Sequence, residues 1–96
     1  MALCIEQKES IFEFTGSFHA SQTQQVRTYF KHKLNGDGKF EICLQKLEDI
    51  DLAGVIMLRC IKDSALELGC QISVRLGNNQ RILGPFRQLN EPMLVA

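Results

Sequence analysis

The chain has no surplus of either charge. Eleven lysines and arginines balance eleven aspartates and glutamates over 96 residues. A neutral chain lacks the basic surface that draws a protein to DNA or RNA, so a nucleic-acid partner is not expected. Long apolar runs are missing too. No window approaches the roughly 20 apolar residues of a membrane span, so membrane insertion is not expected. The start, Met1-Ala2-Leu3-Cys4-Ile5-Glu6, has no basic segment and meets a charge at once. That argues against a secretory signal and for a cytoplasmic chain.

Cys4, Cys43, Cys60 and Cys70 include no Cys-x-x-Cys pair, so metal-ligand spacing fails. A disulfide framework suits a small secreted chain better than one with an ordinary 45% of hydrophobic residues. The thiols are expected to be reduced and partly buried. A glycine-rich phosphate loop is also missing, because Gly36-Asp37-Gly38 leads into a strand rather than a helix. His19 and His32 are the only histidines. Neither has a serine, cysteine or carboxylate partner suggested by spacing, so each reads as a surface or boundary residue rather than a base. No cofactor, metal or catalytic residue is expected. No repeat or low-complexity segment occurs, and residues 1–96 read as one domain with a modest core.

What is there centres on Asp49-Ile50-Asp51-Leu52-Ala53-Gly54 and the helical run from Val55 to Leu68. Met57, Leu58, Ile61, Ala65 and Leu68 fall on one helical stripe. Gly69 follows as a helix stop. Gly54 stands where backbone must pass close to something. The Asp49/Asp51 pair has two readings. As structure, Asp51 caps the helix and both acids favour its positive end. As chemistry, the pair would serve as a general acid and base, or as a magnesium or nucleotide site. The structural reading is preferred, because no third ligand or basic partner is near in sequence.

Upstream, Leu3–Gln7 and Ser10–Thr15 read as two strands of an antiparallel hairpin. Glu-Ser is a poor hairpin pair, which predicts a turn looser than two residues. Ser21-Gln22-Thr23-Gln24 has the form of a capping box. Val26, Tyr29, Phe30 and Leu34 then predict a helix ending at Asn35-Gly36, with Asp37-Gly38 extending the turn. Arg27, Lys31, His32 and Lys33 on its outer face read as a solvated surface, with a phosphate site as the alternative. Lys39–Leu47 and Gln71–Leu76 read as two further strands. Gly77-Asn78-Asn79 reads as a turn and N-cap for a third helix carrying Ile82, Leu83, Phe86 and Leu89. Gly84-Pro85 should interrupt that helix and leave it short or kinked. Glu91-Pro92 begins a tail, and Met93-Leu94-Val95 either packs on the body or frays.

The strands alternate between apolar and polar residues, whereas parallel strands covered on both faces read as continuous apolar runs. The long connections still demand parallel crossovers through helices. The expectation is an α/β fold: a mixed sheet of four or five strands, an N-terminal antiparallel hairpin, parallel crossovers, and helices mainly on one face.

Several of these segments, in this order, resemble the STAS family, the sulphate-transporter and anti-sigma-factor-antagonist domain, from about Leu3 to Asn90. Phe12-Glu13-Phe14-Thr15-Gly16-Ser17-Phe18 is similar to the family's second strand and glycine turn. Phe40–Leu44 is similar to its central strand. Asp51-Leu52-Ala53-Gly54 is similar to its Asp-Ser-Ser-Gly turn, and Ala65-Leu66-Glu67-Leu68-Gly69-Cys70-Gln71-Ile72 to its helix-to-strand passage. The resemblance implies a stand-alone bacterial protein-binding module that acts in transcription regulation and is not an enzyme. In the family's bacterial antagonists, a partner kinase phosphorylates the serine just before the glycine. Here Ala53 holds that position and Leu52 replaces the other serine, so the usual switch cannot operate. The implied partner is an anti-sigma kinase-like protein. The alternative is an ABC ATPase, with the chain as an accessory subunit of a lipid-transport system. The expected contact surface is Asp49, Asp51, Leu52, Ala53 and Gly54 with Val55, Ile56 and Arg59. The plain alternative for Leu52, Val55 and Ile56 is packing on neighbouring strands. The resemblance leaves the oligomeric state open.

Overall fold

A computed structural model describes residues 2–34, 38–88 and 94–95 of the chain. The sheet starts with a hairpin of β1 (Cys4–Lys8) and β2 (Ile11–Phe18), antiparallel and in register from Cys4 opposite Thr15 to Lys8 opposite Ile11. The turn is only Glu9-Ser10, tighter than its composition predicts. Glu9 takes a φ of 57°, a conformation uncommon for a residue with a side chain. The Gln7 side-chain amide donates to the Glu9 carbonyl at 3.0 Å and supports that turn.

All later pairings are parallel. β3 is Gly38–Cys43, β4 Leu47–Ile50, β5 Cys70–Arg75 and β6 Leu94–Val95, and the sheet runs β1-β2-β3-β5-β6 with β4 also paired to β2. The crossovers pass through α1 (Thr23–Lys33), α2 (Leu52–Glu67) and α3 (Leu83–Gln88). The fold is therefore the expected mixed α/β sheet, and pairing of Leu94 with Val74 and Val95 with Arg75 brings the end of the chain into it. Burial alternates along β2 as one covered face requires. Phe12, Phe14 and Phe18 are fully buried, whereas Ile11 on the opposite face is 42% exposed. Phe12 and Phe30 of α1 meet edge-on, with ring centroids 4.8 Å apart, so the first helix is anchored to the second strand by aromatic packing.

The predicted third strand is broken into β3 and β4. The first half of β2 pairs with β3, from Ile11–Glu41 to Glu13–Cys43, and its second half pairs with β4, from Gly16–Leu47 to Phe18–Ile50. Between them Leu44-Gln45-Lys46 leaves the ladder. The Asn79 side-chain amide fills the gap, donating to the carbonyls of Leu44 at 2.8 Å and Leu47 at 2.6 Å. Its oxygen accepts from the Arg81 amide at 3.1 Å. Asn79 is the one buried polar residue among those described. Buried carbonyls released from a ladder must find other donors. This is a larger role than the helix cap that the sequence suggests for Asn79.

Several local expectations are corrected. The capping box forms at His19 and Gln22 instead of Ser21 and Gln24. A 3-10 turn, Ala20–Gln22, precedes α1, and the Gln22 side-chain oxygen accepts from the His19 amide at 2.8 Å. α3 is short, as expected, at six residues, but Gly84-Pro85 does not interrupt it. Both residues lie in its first turn, where amide protons have no intrahelical acceptor and the missing one costs nothing. Leu68 is not on the core stripe: it is 55% exposed, beyond the end of α2. Gly69 does act as the stop, with a φ of 87°. Asn35-Gly36, Asp37, Leu89 and residues 91–93 lie outside the described residues.

Candidate functional site

β2 and β4 are neighbouring parallel strands, so their C-terminal ends open on the same edge of the sheet. In open α/β sheets this is the edge where sites form. Strand character runs further along the chain than expected. Asp49 and Ile50 belong to β4, opposite Ser17 and Phe18, and only Asp51 separates strand from helix. The acidic stretch is thus two strand residues and one cap, rather than a turn.

Asp51 holds two loops together. One carboxylate oxygen accepts from the Gly54 amide at 2.9 Å, the N-cap bond that Asp51 was expected to make. Its other oxygen accepts from the Ala20 amide at 3.0 Å, in the loop that follows β2. The Asp51 amide in turn donates to the Phe18 carbonyl at 3.2 Å. Gly54 is required by the same closeness. An added Cβ would lie 2.8 Å from the Phe18 carbonyl oxygen and 2.7 Å from Ile50 Cγ1. The expectation of a close backbone approach at Gly54 is met, and the neighbour is the end of β2.

A second clasp lies beside the first. His19 Nε2 donates to the Asp49 carboxylate at 2.6 Å, and the other Asp49 oxygen accepts from the Ile50 amide at 3.0 Å. His19 therefore does have a carboxylate partner, contrary to the reading from spacing. No local pattern announces it, since the pair is 30 positions apart. The two side chains are 41% and 59% exposed, so the pair contributes at most about 1 kcal/mol. Its larger consequence is geometric: imidazole, carboxylate and two backbone amides fix the β2–α1 and β4–α2 connections against each other.

The other expected contact residues divide by burial. Gly54 and Val55 are buried, Val55 completely, and neither can form a contact surface. α2 turns its Gly54-Val55-Leu58-Ile61-Ala65 stripe to the sheet, and Val55 sits on that stripe. Leu52 and Ala53 are half-buried, and Ile56 is 46% exposed. Asp49 and Arg59 are exposed, and Asp51 is half-buried. Leu52 and Ala53 lie four and three positions before Ile56, and Arg59 three after it, so the four share one side of the helix.

Chemically, the site offers carboxylates already engaged by amides and an imidazole, next to an apolar helix start. Among the described residues, no group of three His, Cys, Asp or Glu side chains is placed to hold a metal ion. No helix among them is long and apolar enough to cross a membrane. No protein-family model matches the chain, and no curated protein matches it.

Proposed function

We propose that the chain is a non-enzymatic regulatory module that binds a protein partner, of the STAS kind and resembling an anti-sigma-factor antagonist in the bacterial cytoplasm. The observation that carries this reading is the 46% exposure of Ile56 in the first turns of α2, whose start is held by the Asp51 cap and the His19–Asp49 clasp. A large apolar side chain left in water on a rigid element is the feature a partner uses to bury surface. Leu52, Ala53 and Arg59 extend the patch, and Asp49 lies at its edge. Val55 and Gly54 support it from beneath.

Two further features favour binding over catalysis. Asp51 spends both oxygens on backbone amides, and Asp49 is divided between His19 and an amide. Ala53 carries no hydroxyl, so binding at this turn is not switched by phosphorylation there. The module is competent in its unmodified form.

The test is capture on the immobilised chain from an extract of the source cells, with identification of what binds. A sigma-regulating, kinase-like protein is the expected partner. An ABC ATPase with its permease would replace this reading with that of a transport subunit. Magnesium-dependent nucleotide binding by the isolated chain would replace it with an enzyme built on Asp49 and Asp51.

A further inference from the structure

We infer that the groove between α1 and α2 is a binding site for a single-chain fatty carboxylate. The groove has a volume of about 360 Å³ and runs from Met57, next to Ile56, along α2 to Leu68. Phe30 of α1 and Ile61, Met57 and Leu68 on the α2 side give it an apolar lining, while Arg27 and Lys31 stand on the α1 side. This is where the exposed Leu68 belongs: its side chain leaves the core stripe to line the surface groove.

Charge decides the class of occupant. No acidic residue lines the groove, and α1 carries no acid in its whole length. Among the described residues, neither Arg27 nor Lys31 has an ion-pair partner. They are four positions apart and so project from the same side of the helix. Two uncompensated cations beside an apolar trough suit a ligand with one anionic end and a hydrocarbon body.

Shape narrows it further. α1 and α2 run in the same direction, because each returns the chain from the end of one parallel strand to the start of the next. The lining therefore runs in one sense on both sides, from Arg27 to Leu34 and from Met57 to Leu68. From Met57 to Leu68 the helical rise is about 16 Å, a trough suited to an extended alkyl chain. The carboxylate would sit between Arg27 and Lys31 and the alkyl chain would run towards Leu68.

Cys60 supplies the readout. It lines the groove and its thiol is free and exposed, while Cys4 is free and exposed on β1. The experiment measures alkylation of each thiol by mass spectrometry, with and without dodecanoate held below its micelle-forming concentration. Dodecanoate should slow labelling of Cys60 by roughly tenfold, the factor that about 1.4 kcal/mol of occupancy supplies, and leave Cys4 unchanged. Dodecyltrimethylammonium, with the same tail and the opposite charge, should not protect. The Arg27→Gln, Lys31→Gln double variant, folded by circular dichroism, should lose the protection.

Equal protection by the cationic amphiphile would overturn the inference, since adsorption of the tail alone would explain it. So would an unchanged Cys60 rate, or protection by anionic phospholipid vesicles without protection by the monomeric acid. Ligand-free protection that grows with protein concentration would also overturn it, by showing a second copy of the chain to be the occupant.

Discussion

Asp51 and Ala20 are 31 positions apart, and a 3.0 Å bond from the Ala20 amide to the Asp51 carboxylate joins them. The same carboxylate caps α2 through Gly54. One side chain thus starts a helix and ties that start to the loop after the neighbouring strand. Asp51→Ala should remove both bonds and lower stability by about 1–2 kcal/mol, the scale of a lost N-cap with a second amide left unsatisfied. Urea unfolding measures it. Asp49→Ala is expected to cost less, because the two side chains are 41% and 59% exposed and water replaces the lost contact. Equal losses in the two variants would show that the cap is not the dominant contact.

Asn79 bridges the two carbonyls at the break between β3 and β4. Asn79→Leu keeps a branched side chain but has no donor, so the Leu47 carbonyl loses its side-chain bond and the Leu44 carbonyl keeps only the Leu47 amide at 3.1 Å. The expected loss is about 1–3 kcal/mol. Denaturant titration checks it, and an unchanged midpoint would show that water enters and takes over both acceptors.

These two residues also show where reading by sequence succeeds. The capping role of Asp51, the close approach at Gly54, the stop at Gly69 and the hairpin all depend on neighbours within a few positions, and each is legible from residue type and spacing. The Asn79 plug reaches carbonyls 35 and 32 positions away, and His19 reaches Asp49 across 30. Local periodicity carries no trace of such contacts. Val55 carries two readings by sequence, contact surface and packing on the strands, and the second holds because it falls on the inward stripe of α2. Pro85 differs through a boundary: α3 begins at Leu83, later than a cap at Asn79 implies, and a proline that breaks a helix interior is harmless in a first turn.

Tyr29 is the only tyrosine, and the chain has no tryptophan, so its phenol can be titrated by ultraviolet absorbance without interference. Burial raises its pKa above the ordinary 10.0, because desolvation disfavours the phenolate. The unfolded chain therefore loses this proton first as pH rises. The stability linked to Tyr29 is fully present below pH 10.0 and is lost as pH climbs from there through the folded value. Denatured protein should titrate at lower pH than native protein. Coincident curves would contradict the burial of this ring against Phe12 and Phe30.

Cys4 and Cys60 are exposed, Cys43 is half-buried and Cys70 is buried. Alkylation of the native protein should label Cys4 and Cys60 first and Cys70 last. Denaturation without reductant should then expose every thiol to the reagent. A thiol that labels only after reduction would reveal a bond absent from this fold.

The central claim is that the start of α2 is the surface a protein partner uses. Ile56 and Leu66 allow a matched comparison, being 46% and 56% exposed on the same helix. Ile56 lies beside the clasped loops, and Leu66 lies at the far end. The partner recovered on the wild-type chain is titrated calorimetrically with wild type, Ile56→Glu and Leu66→Glu, each folded by circular dichroism. The account predicts that Ile56→Glu weakens binding by roughly a hundredfold, as burial of a charge in an apolar contact of about 2–3 kcal/mol requires, while Leu66→Glu binds like wild type. Undiminished affinity of Ile56→Glu, or equal losses in both variants, would contradict it.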